Sequence, residues 1–321
     1  MNVLVVGGAG YVGSLCGAHL RAAGDDVVVL DDLTAGHREA CPGPLIEGDV
    51  RDRALVAGVL REGRFDAVLH FAARAVVGDS MAHPAETFSV NVGGTLALLD
   101  AMSSAGVRCL VFSSSCAVYG EPRNVPITED HPFAPVSPYG ESKAVAERIL
   151  DLAREREGLR ITALRYFNAA GAAPDASRGE SHDPETHLVP LALRALRDGR
   201  ELPVFGTDWP TRDGTCVRDY VHVLDLADAH RRALRALVDG ASGGAYNLGT
   251  GGGTTVHEVF AAIERVTGGR VPWRAEPRRP GDPAELWADV SRVRRELDWE
   301  ARYGLDDIVA HAAAWSRAPR Y

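Results

Sequence analysis

A glycine-rich turn between an apolar strand and a helix constrains this chain more than any other part of its sequence. Residues 3–6 are all apolar, glycines follow at Gly7, Gly10 and Gly13, and a helical pattern begins at Tyr11. In such a turn the first glycine permits a tight bend, the second lets a ligand's phosphates approach the backbone, and the third lets helix and strand pack closely. The helix N-terminus offers free N–H groups to those phosphates. The segment predicts a dinucleotide-binding unit; the alternative is a structural turn that binds nothing.

Short apolar runs rich in Val, Leu and Ile recur along the first half of the chain. They cover residues 3–6, 27–30, 68–71, 110–113 and 161–164. None alternates between apolar and polar residues, which is typical of strands buried on both faces. Between them lie helical patterns, such as residues 11–23, whose apolar side chains fall on one face. Alternating strands and helices predict an α/β fold with a Rossmann-type, doubly wound parallel sheet.

The second half of the chain differs in composition and in its pattern of predicted elements. From about Gly171, Pro, Asp, His and Gly become frequent, and residues 170–186 are expected to form an extended loop. A strand and helix pattern returns at 220–237, and another strand is expected at 245–248. We expect an NAD-binding Rossmann domain at 1–170, joined by a returning segment near 220–250. Residues 171–321 are expected to form mainly a smaller α/β substrate-binding domain.

Composition excludes several classes of protein. The chain has 321 residues, 45% of them hydrophobic, and a net charge of -9, which allows a sizeable core and argues against a nucleic-acid binder. No stretch approaches the roughly 20 apolar residues that cross a bilayer, so no membrane association is expected. Because the first predicted strand starts at Asn2, no cleavable leader is expected. We therefore expect a cytoplasmic protein.

Cysteine and histidine spacing gives no metal or disulfide signal. The five cysteines form no CxxC pair, so a disulfide framework or a structural zinc site is not expected. Eleven histidines are present, but none forms an HxH or HxxxH pair on a clear helix or strand. We predict no metal.

An acidic residue ends the second predicted strand. A carboxylate at Asp31 would accept hydrogen bonds from a ribose 2'-hydroxyl and would repel a 2'-phosphate. The sequence therefore favours NAD over NADP.

Tyr139 and Lys143 lie four residues apart in a segment that reads as the start of a helix. This spacing places both side chains on one face. Ser137 can cap the helix and Pro138 suits its first turn. A free tyrosine, with a pKa of about 10, is a poor base at neutral pH, but a neighbouring ammonium and a cationic nicotinamide ring favour the phenolate. Such a pair can take a proton from a sugar hydroxyl while the carbon beneath gives up hydride; a solvated helix face is the alternative.

The glycine spacing GxxGxxG resembles that of the short-chain dehydrogenase/reductase family. Gly48-Asp49-Val50 resembles its adenine-contacting turn, and Phe71-Ala72-Ala73 its segment beneath the cofactor. Ser113, Ser114 and Ser115 end a central strand, where ligands bind in open α/β sheets. Ser115 aligns with the family's catalytic hydroxyl residue, which implies the catalytic set Ser115, Tyr139 and Lys143. The resemblance implies NAD contacts from Gly7, Gly10, Tyr11, Val12, Gly13, Asp31, Asp49, Val50, Phe71, Ala72, Ala73, Asn91, Ser113, Tyr139, Lys143 and Tyr166.

Within the extended branch of that family, the chain resembles the UDP-glucose 4-epimerases over almost its whole length. The more specific segments are Arg165-Tyr-Phe-Asn168 and Val217-Arg-Asp-Tyr-Val-His222. The resemblance implies reversible oxidation of a UDP-hexose at C4, rotation of the 4-ketosugar, and reduction on its other face. Arg218 and Arg279 would hold the diphosphate, since forked donors suit it. The implied substrate contacts are Ser115, Tyr139, Phe167, Asn168, His187, Leu188, Phe205, Arg218, Arg279, Asp282 and Leu286.

Other readings stay open at this point. A nucleotide-sugar 4,6-dehydratase carries Thr-Asp-Glu before Val-Tyr-Gly, where this chain has Ser115-Cys116-Ala117, so the acid and base for elimination are missing. A UDP-glucuronate 4-epimerase or decarboxylase would need a group for the C6 carboxylate, and none is identified. A silent NAD sensor usually loses the tyrosine or the lysine.

Some positions depart from the family pattern. His187 stands where many members have an asparagine, and Ala75 where some carry a lysine that neighbouring Arg74 could replace. Leu286 occupies the gate beside the sugar C2 substituent, where a large tyrosine excludes an N-acetyl group. We expect UDP-glucose and UDP-galactose as the main pair, with some UDP-GlcNAc/UDP-GalNAc turnover. By resemblance we expect a homodimer built from helices within 84–106 and 137–157.

Overall fold

The computed structural model describes residues 1–279 and 281–321. The strands are β1 Asn2–Val6, β2 Asp26–Asp31, β3 Leu45–Glu47, β4 Ala67–His70, β5 Cys109–Ser115, β6 Arg160–Tyr166, β7 Asn168–Ala170, β8 Leu202–Phe205, β9 Val217–Arg218, β10 Tyr220–His222, β11 Gly243–Leu248, β12 Thr254–Thr255, β13 Trp273–Glu276 and β14 Glu285–Leu286. The α-helices are α1 Tyr11–Ala22, α2 Arg53–Gly63, α3 Val77–Ala82, α4 Pro84–Phe88, α5 Gly94–Ala105, α6 Pro138–Glu157, α7 Leu188–Asp198, α8 Val223–Val238, α9 Val256–Thr267, α10 Ser291–Leu297 and α11 Leu305–Arg317.

A seven-stranded sheet forms the centre of the molecule, in the order β11-β6-β5-β4-β1-β2-β3. Every neighbouring pair in it is parallel. The strand order reverses beside β1, which is where ligands bind in doubly wound sheets. The prediction of a Rossmann-type parallel sheet is confirmed.

Both faces of this sheet are covered. Helices α1 and α8 pack on one face, and the apolar cluster between them and the sheet includes Leu20 and Leu226. Helices α2, α5 and α6 cover the other face, where the apolar cluster includes Leu60 and Leu98. Each fully buried side chain of this size contributes about 1.5–3 kcal/mol. The double cover explains why these strands read as continuous apolar runs.

The chain leaves the central sheet after β6 and returns to it. Helix α8 and strand β11 come back to the edge of the sheet beside β6, where a strand was expected at 245–248. Helices α7, α9 and α11 share a separate apolar cluster that includes Val189, Val259 and Ile308. Strands β8 and β13 pair in parallel beside it.

Most predicted elements lie within the observed ones, with small differences at their ends. The strand expected at 68–71 ends at His70, so Phe71 lies just beyond β4. Strand β3 was not anticipated, because three residues with an exposed Glu47 carry no burial pattern. All five cysteines are free. Among the described residues, no helix is both long and apolar enough to cross a bilayer.

Candidate active site

The glycine turn after β1 has the close contacts that its sequence predicts. Gly7 has φ +82°, and a side chain there would place Cβ 2.4 Å from the amide nitrogen of Ala72. A Cβ on Gly13 would lie 2.2 Å from the carbonyl oxygen of Gly7. Around Gly10 the nearest atom would be 3.6 Å away. The first and third positions therefore require glycine for packing, and the second leaves the surface open.

Helix α1 begins at this opening without a side-chain cap. Gly10 is the N-cap residue, and no acidic residue lies in the first turn. The hydroxyl of Tyr11 donates to the carbonyl of Gly171 at 2.6 Å, and Val12 packs against the core. The first N–H groups of the helix are thus free for an anion, so the cradle fits the pyrophosphate of NAD.

Asp31 is buried at the end of β2, beside this turn. Its carboxylate accepts hydrogen bonds from the amides of Ala9 and Leu33, both at 2.9 Å. Burial raises the pKa of the Asp31 carboxyl, while the two amides act in the opposite direction. Since a carboxylate has about four acceptor positions, these two bonds orient it and leave capacity for ribose hydroxyls.

The predicted adenine turn is organised around an ion pair. Asp49 accepts from the Arg51 guanidinium at 2.6 Å, and this hydrogen bond is the main reason that the pKa of the Asp49 carboxyl is lowered. Val50 is 5% exposed, and a side chain on Gly94 would collide with it. The ion pair and the buried valine fix the turn at the edge of the cofactor groove.

Tyr139 and Lys143 lie on the first turns of α6, next to the end of β5. Ser137 caps the helix by accepting from the amide of Gly140 at 3.1 Å, as predicted. The Lys143 ammonium is 6.0 Å from the centre of the Tyr139 ring and donates to the carbonyl of Ser113 at 2.7 Å. The tyrosine and the lysine therefore face the same strand end.

Burial dominates the acid–base properties of this pair. It raises the pKa of the Tyr139 phenol to about 12, while the neighbouring Ser115 hydroxyl acts in the opposite direction. Burial also lowers the pKa of the Lys143 ammonium to about 7, against the pull of the Glu147 carboxylate. The protein alone thus disfavours both charges, and a cationic cofactor ring would favour the phenolate.

The three consecutive serines at the end of β5 have different partners. The hydroxyl of Ser113 is hydrogen-bonded to that of Tyr166. Ser114, on the opposite face of the strand, donates to the buried Glu147. The hydroxyl of Ser115 accepts from the amide of Ala117 at 3.2 Å and lies close enough to Tyr139 to act on the pKa of its phenol. The assignment of Ser115 as the catalytic hydroxyl donor stays a prediction.

A buried polar network supports the active-site helix. The side chain of Asn91 bonds to both backbone groups of Arg74 and donates to the Ser142 hydroxyl at 2.8 Å. Ser142 in turn donates to the carbonyl of Tyr139 at 2.7 Å, and Ser80 accepts from the Tyr139 amide at 3.2 Å. Asn91, predicted as a cofactor contact, therefore ties the segment after β4 to α6. Arg74, considered as a substitute for a lysine, pairs with Asp79 at 2.6 Å.

The segment beneath the predicted cofactor follows β4. The amides of Phe71 and Ala72 donate to the carbonyl of Val6, and the Phe71 ring packs 4.8 Å from that of His230. Ala73 is half-buried. These contacts keep the segment against the glycine turn.

Arg165 forms a buried ion pair that sequence reasoning missed. Its guanidinium binds Glu147 in a forked geometry at 2.6–3.0 Å, and both side chains are at most 6% exposed. A further nitrogen donates to the Tyr119 hydroxyl at 2.8 Å. The sequence indicates Arg165 only as part of a family motif, and the structure places it behind β5 as a structural support.

The predicted diphosphate arginine lies at a strand junction. Arg218 donates to the carbonyl oxygens of Val217 and Pro283 at 2.8 and 3.0 Å, and Asp282 lies 3.9 Å from its guanidinium. Leu286 is its partner in the parallel β9–β14 pairing. The structure therefore brings three predicted substrate contacts together.

A second group of predicted substrate contacts lies around β7, β8 and α7. The exposed Arg279 guanidinium is 3.8 Å from the centre of the Phe205 ring. The backbone amide of Asn168 donates to the carbonyl of Asp219 at 2.9 Å. Phe167 is 7% exposed. His187 and Leu188 form the N-cap and first residue of α7. The Arg279 guanidinium and the Phe205 ring therefore form one stacked pair.

The loop before α7 contains a cluster of two histidines and two glutamates that sequence reasoning also missed. One ligand atom from each of Glu180, His182, Glu185 and His187 lies within 4.8 Å of the others. The two glutamate side chains are 7% and 3% exposed. Burial lowers the pKa of the two imidazoles, but the neighbouring carboxylates outweigh it and raise them to about 9 for His182 and about 10 for His187.

The parallel sheet, the glycine turn and the Tyr139–Lys143 pair beside it define a short-chain dehydrogenase/reductase. The sequence profile described as the NAD dependent epimerase/dehydratase family matches residues 3–249. The chain belongs to that family.

Its relatives are UDP-glucose 4-epimerases. It is 49% identical to the enzyme of Rhizobium meliloti (strain 1021) over 316 residues, 98% of this chain and 96% of that protein. It is 46% identical to the enzyme of Lacticaseibacillus casei over 319 residues, 98% of this chain and 96% of that protein.

Solved structures of such enzymes superpose closely. UDP-glucose 4-epimerase from Brucella ovis in complex with NAD gives a TM-score of 0.95 at 45% identity, covering 98% of both chains. The Stenotrophomonas maltophila enzyme with bound NAD and formylated UDP-arabinopyranose gives 0.96 at 43% identity, covering 99% of this chain and 98% of that one. The predictions of an epimerase and of NAD as its cofactor are confirmed.

Proposed function

We propose that this chain interconverts UDP-glucose and UDP-galactose by reversible oxidation at C4 of the sugar. The observation that carries the proposal is the placement of Tyr139, Lys143 and Ser115 at one strand end beside the glycine turn. The full-length likeness to UDP-glucose 4-epimerases supports the choice of a UDP-hexose. No acid–base pair for elimination stands beside Ser115, so a dehydratase reading is not favoured.

The cofactor is held by residues of the Rossmann half. Gly7, Gly10 and Gly13 form the cradle for the pyrophosphate, and Asp31 accepts from the ribose hydroxyls. When bound there, NAD supplies reversible two-electron oxidation of a carbon centre.

The chain's own residues manage the proton. The Tyr139 phenolate takes the proton of the 4-hydroxyl and returns it to the ketone oxygen after the sugar has turned over. Lys143, anchored to the carbonyl of Ser113, holds a positive charge near the phenolate oxygen. Ser115 donates a hydrogen bond to the reacting oxygen, whose charge changes during the step.

The substrate is held unequally along its length. Arg218 and Arg279 bind the diphosphate, Phe205 and Leu188 line the uridine site, and the sugar is left free to rotate. Firm binding of the nucleotide keeps the ketosugar from leaving. Equally firm contacts to the hexose would hinder its rotation and slow the reaction.

We place the enzyme in the cytoplasm as a homodimer. Five free cysteines suit a reducing compartment. Leu96 on α5 and Leu152 on α6 are 39% and 57% exposed, on the two helices expected to pair with a second copy. Light scattering of the wild type and of Leu152→Glu tests this: the variant is expected at half the mass, and equal masses for both proteins would remove the support for this interface.

A substrate panel tests the proposed function. The purified protein is incubated with UDP-galactose, UDP-GlcNAc and UDP-glucuronate, and NAD released by denaturation is measured. We expect UDP-glucose from UDP-galactose as the fastest conversion. The proposal would be rejected if UDP-glucuronate were the one substrate converted. It would also be rejected if no substrate were converted by protein that releases NAD on denaturation.

A further inference from the structure

The loop at residues 180–187, which leads into α7, gathers four metal-ligating side chains. Nδ1 of His187 lies 2.7 Å from a Glu180 oxygen and 3.0 Å from a Glu185 oxygen. Nδ1 of His182 lies 3.3 and 3.7 Å from oxygens of the same two glutamates. Both imidazoles thus turn the same ring nitrogen toward the same pair of carboxylates.

Hydrogen bonds alone leave this cluster unsatisfied. Nδ1 of His182 is buried and has no hydrogen-bond partner, although Glu180 is near. The single Nδ1–H that His187 can offer faces two carboxylates at once. A buried nitrogen without a hydrogen-bond partner is destabilising, so protons on the imidazoles do not fully account for the arrangement.

The distances fit a small tetrahedral cation. Zinc binds histidine nitrogen and carboxylate oxygen at about 2.0–2.2 Å, so ligand atoms at the corners of its tetrahedron lie about 3.3–3.6 Å apart. Three nitrogen–oxygen distances, 2.7, 3.0 and 3.3 Å, join the two imidazole nitrogens to one oxygen each of Glu180 and Glu185, at or somewhat below that edge. The fourth, 3.7 Å, runs from His182 to the other oxygen of Glu185. With one atom from each residue, the four ligand atoms lie within 4.8 Å of one another. Two imidazoles disfavour magnesium and calcium, which prefer oxygen, and zinc binds more tightly than Mn²⁺, Fe²⁺ or Co²⁺.

The surroundings hold the loop in place independently of the cluster. Trp315 donates to the carbonyl of Glu180 at 2.7 Å, and the Tyr321 hydroxyl accepts from the Gly179 amide at 3.1 Å. The Tyr11 ring stands edge-on to His182, with 6.3 Å between ring centres. A preformed loop lowers the entropic cost of binding an ion.

We infer that Glu180, His182, Glu185 and His187 bind one zinc ion, which fixes the loop that leads into α7. Four protein ligands close the coordination sphere, so the role is structural and the ion takes no part in the proton transfer. Two carboxylates balance the charge of the ion. With Nδ1 of His187 on the metal, the proton of the neutral ring sits on Nε2, which fixes a donor at the N-cap of α7. The prediction of no metal rests on the absence of HxH and HxxxH pairs. The four proposed ligands follow a different spacing, Glu-x-His-x-x-Glu-x-His.

Metal analysis of the tag-free holoenzyme tests the inference. The protein is purified without a histidine tag, loaded with zinc, dialysed against metal-free buffer and measured by inductively coupled plasma mass spectrometry. We expect one zinc per chain in the wild type. His182→Ala and Glu185→Gln are expected to lower the content at least tenfold, while His257→Ala, on α9 and outside the cluster, keeps it.

Two further measurements keep the test decisive. Glu185→Gln retains an oxygen that can accept the amides of Thr186 and His187, so circular dichroism is expected to show a folded protein. Cobalt titration of the zinc-free wild type is expected to give the visible absorption of a tetrahedral site, absent in both cluster variants. Less than one-tenth zinc per chain in the loaded wild type, or equal zinc in the wild type and both variants, would overturn the inference.

Discussion

Lys143 donates to the carbonyl oxygen of Ser113 at 2.7 Å, across the gap between α6 and the end of β5. It is also the single lysine in a sequence with 35 basic residues, all the others being arginine. An arginine stays charged at every accessible pH, whereas a buried lysine can shift its pKa. The single lysine therefore stands where burial makes the charge of a basic side chain depend on pH near neutrality.

The first prediction concerns the pKa of this ammonium. Because burial lowers it to about 7, carbon-13 NMR of enzyme labelled at the lysine Cε should show one titrating resonance with a midpoint near 7. Denatured protein provides the control, with a midpoint near the ordinary value of about 10.4. A folded-state midpoint above pH 10 would show a solvated ammonium and contradict the assignment.

The same shift makes the free energy of unfolding depend on pH. Between about pH 7 and 10 the unfolded chain binds the Lys143 proton and the folded chain does not, so this residue makes stability rise with pH. The slope is at most about 1.4 kcal/mol per pH unit. Lys143→Met removes this contribution. The free energy of unfolding of the variant, minus that of the wild type, is therefore expected to be greatest at pH 7 and to decline toward pH 9. Urea unfolding at both values measures it, and a constant difference would refute the linkage.

The second prediction concerns the base. Tyr139→Phe removes the phenol but keeps the ring, so turnover of UDP-galactose is expected to fall by at least about 10²–10⁴-fold. The released NAD per chain is expected to be unchanged. Tyr246→Phe, which loses only a hydroxyl that donates to Glu296 on α10, serves as the matched control. Activity that survives in Tyr139→Phe would mean that another group takes the proton.

The third prediction separates binding from chemistry. Arg218 is held by two backbone carbonyls, so its guanidinium is already oriented for a diphosphate. A hydrogen bond to a charged group is worth about 1.5–3 kcal/mol, so Arg218→Gln is expected to raise KM for UDP-galactose about 10–100-fold with a smaller change in kcat. Arg278→Gln removes a guanidinium that pairs with Asp208 and stacks on Trp209, and is expected to leave KM near the wild-type value. Equal effects of the two variants would contradict the role of Arg218.

The fourth prediction tests the support behind β5. Glu147→Gln leaves the Arg165 guanidinium buried without a counter-charge, which typically costs about 3–5 kcal/mol. Arg265→Gln, which breaks an exposed pair with Asp306, is expected to cost less than about 1 kcal/mol. Chemical denaturation measures both. Similar losses for the two variants would show that the buried pair contributes little.

Local patterns predicted the parts of the structure that depend on local chemistry. The glycine turn, the Ser137 cap and the buried strands follow from short-range sterics and burial, so their signals lie within a few neighbouring residues. The alternation of side chains along a strand also separates Ser114 from Ser113 and Ser115.

The parts that were missed depend on contacts between distant elements. Arg165 and Glu147 lie on β6 and α6, and no spacing rule relates them. The convergence of Glu180, His182, Glu185 and His187 depends on a loop whose backbone is fixed by Trp315 and Tyr321 at the end of the chain. Such positions are set by tertiary packing, which the sequence pattern does not reveal.

The last prediction concerns the gate beside the sugar. Leu286 is half-buried and pairs in register with Arg218, so its side chain stands next to the proposed diphosphate contact. Differences of one small group in an apolar pocket change relative rates by about 10–200-fold. Leu286→Tyr is therefore expected to lower kcat/KM for UDP-GlcNAc at least about tenfold relative to UDP-glucose, and Leu286→Ala to raise the same ratio by a similar factor. Paired assays on both substrates measure it. Because UDP-glucose serves as the internal control for folding and cofactor content, a ratio that neither variant moves would show that Leu286 does not face the C2 substituent.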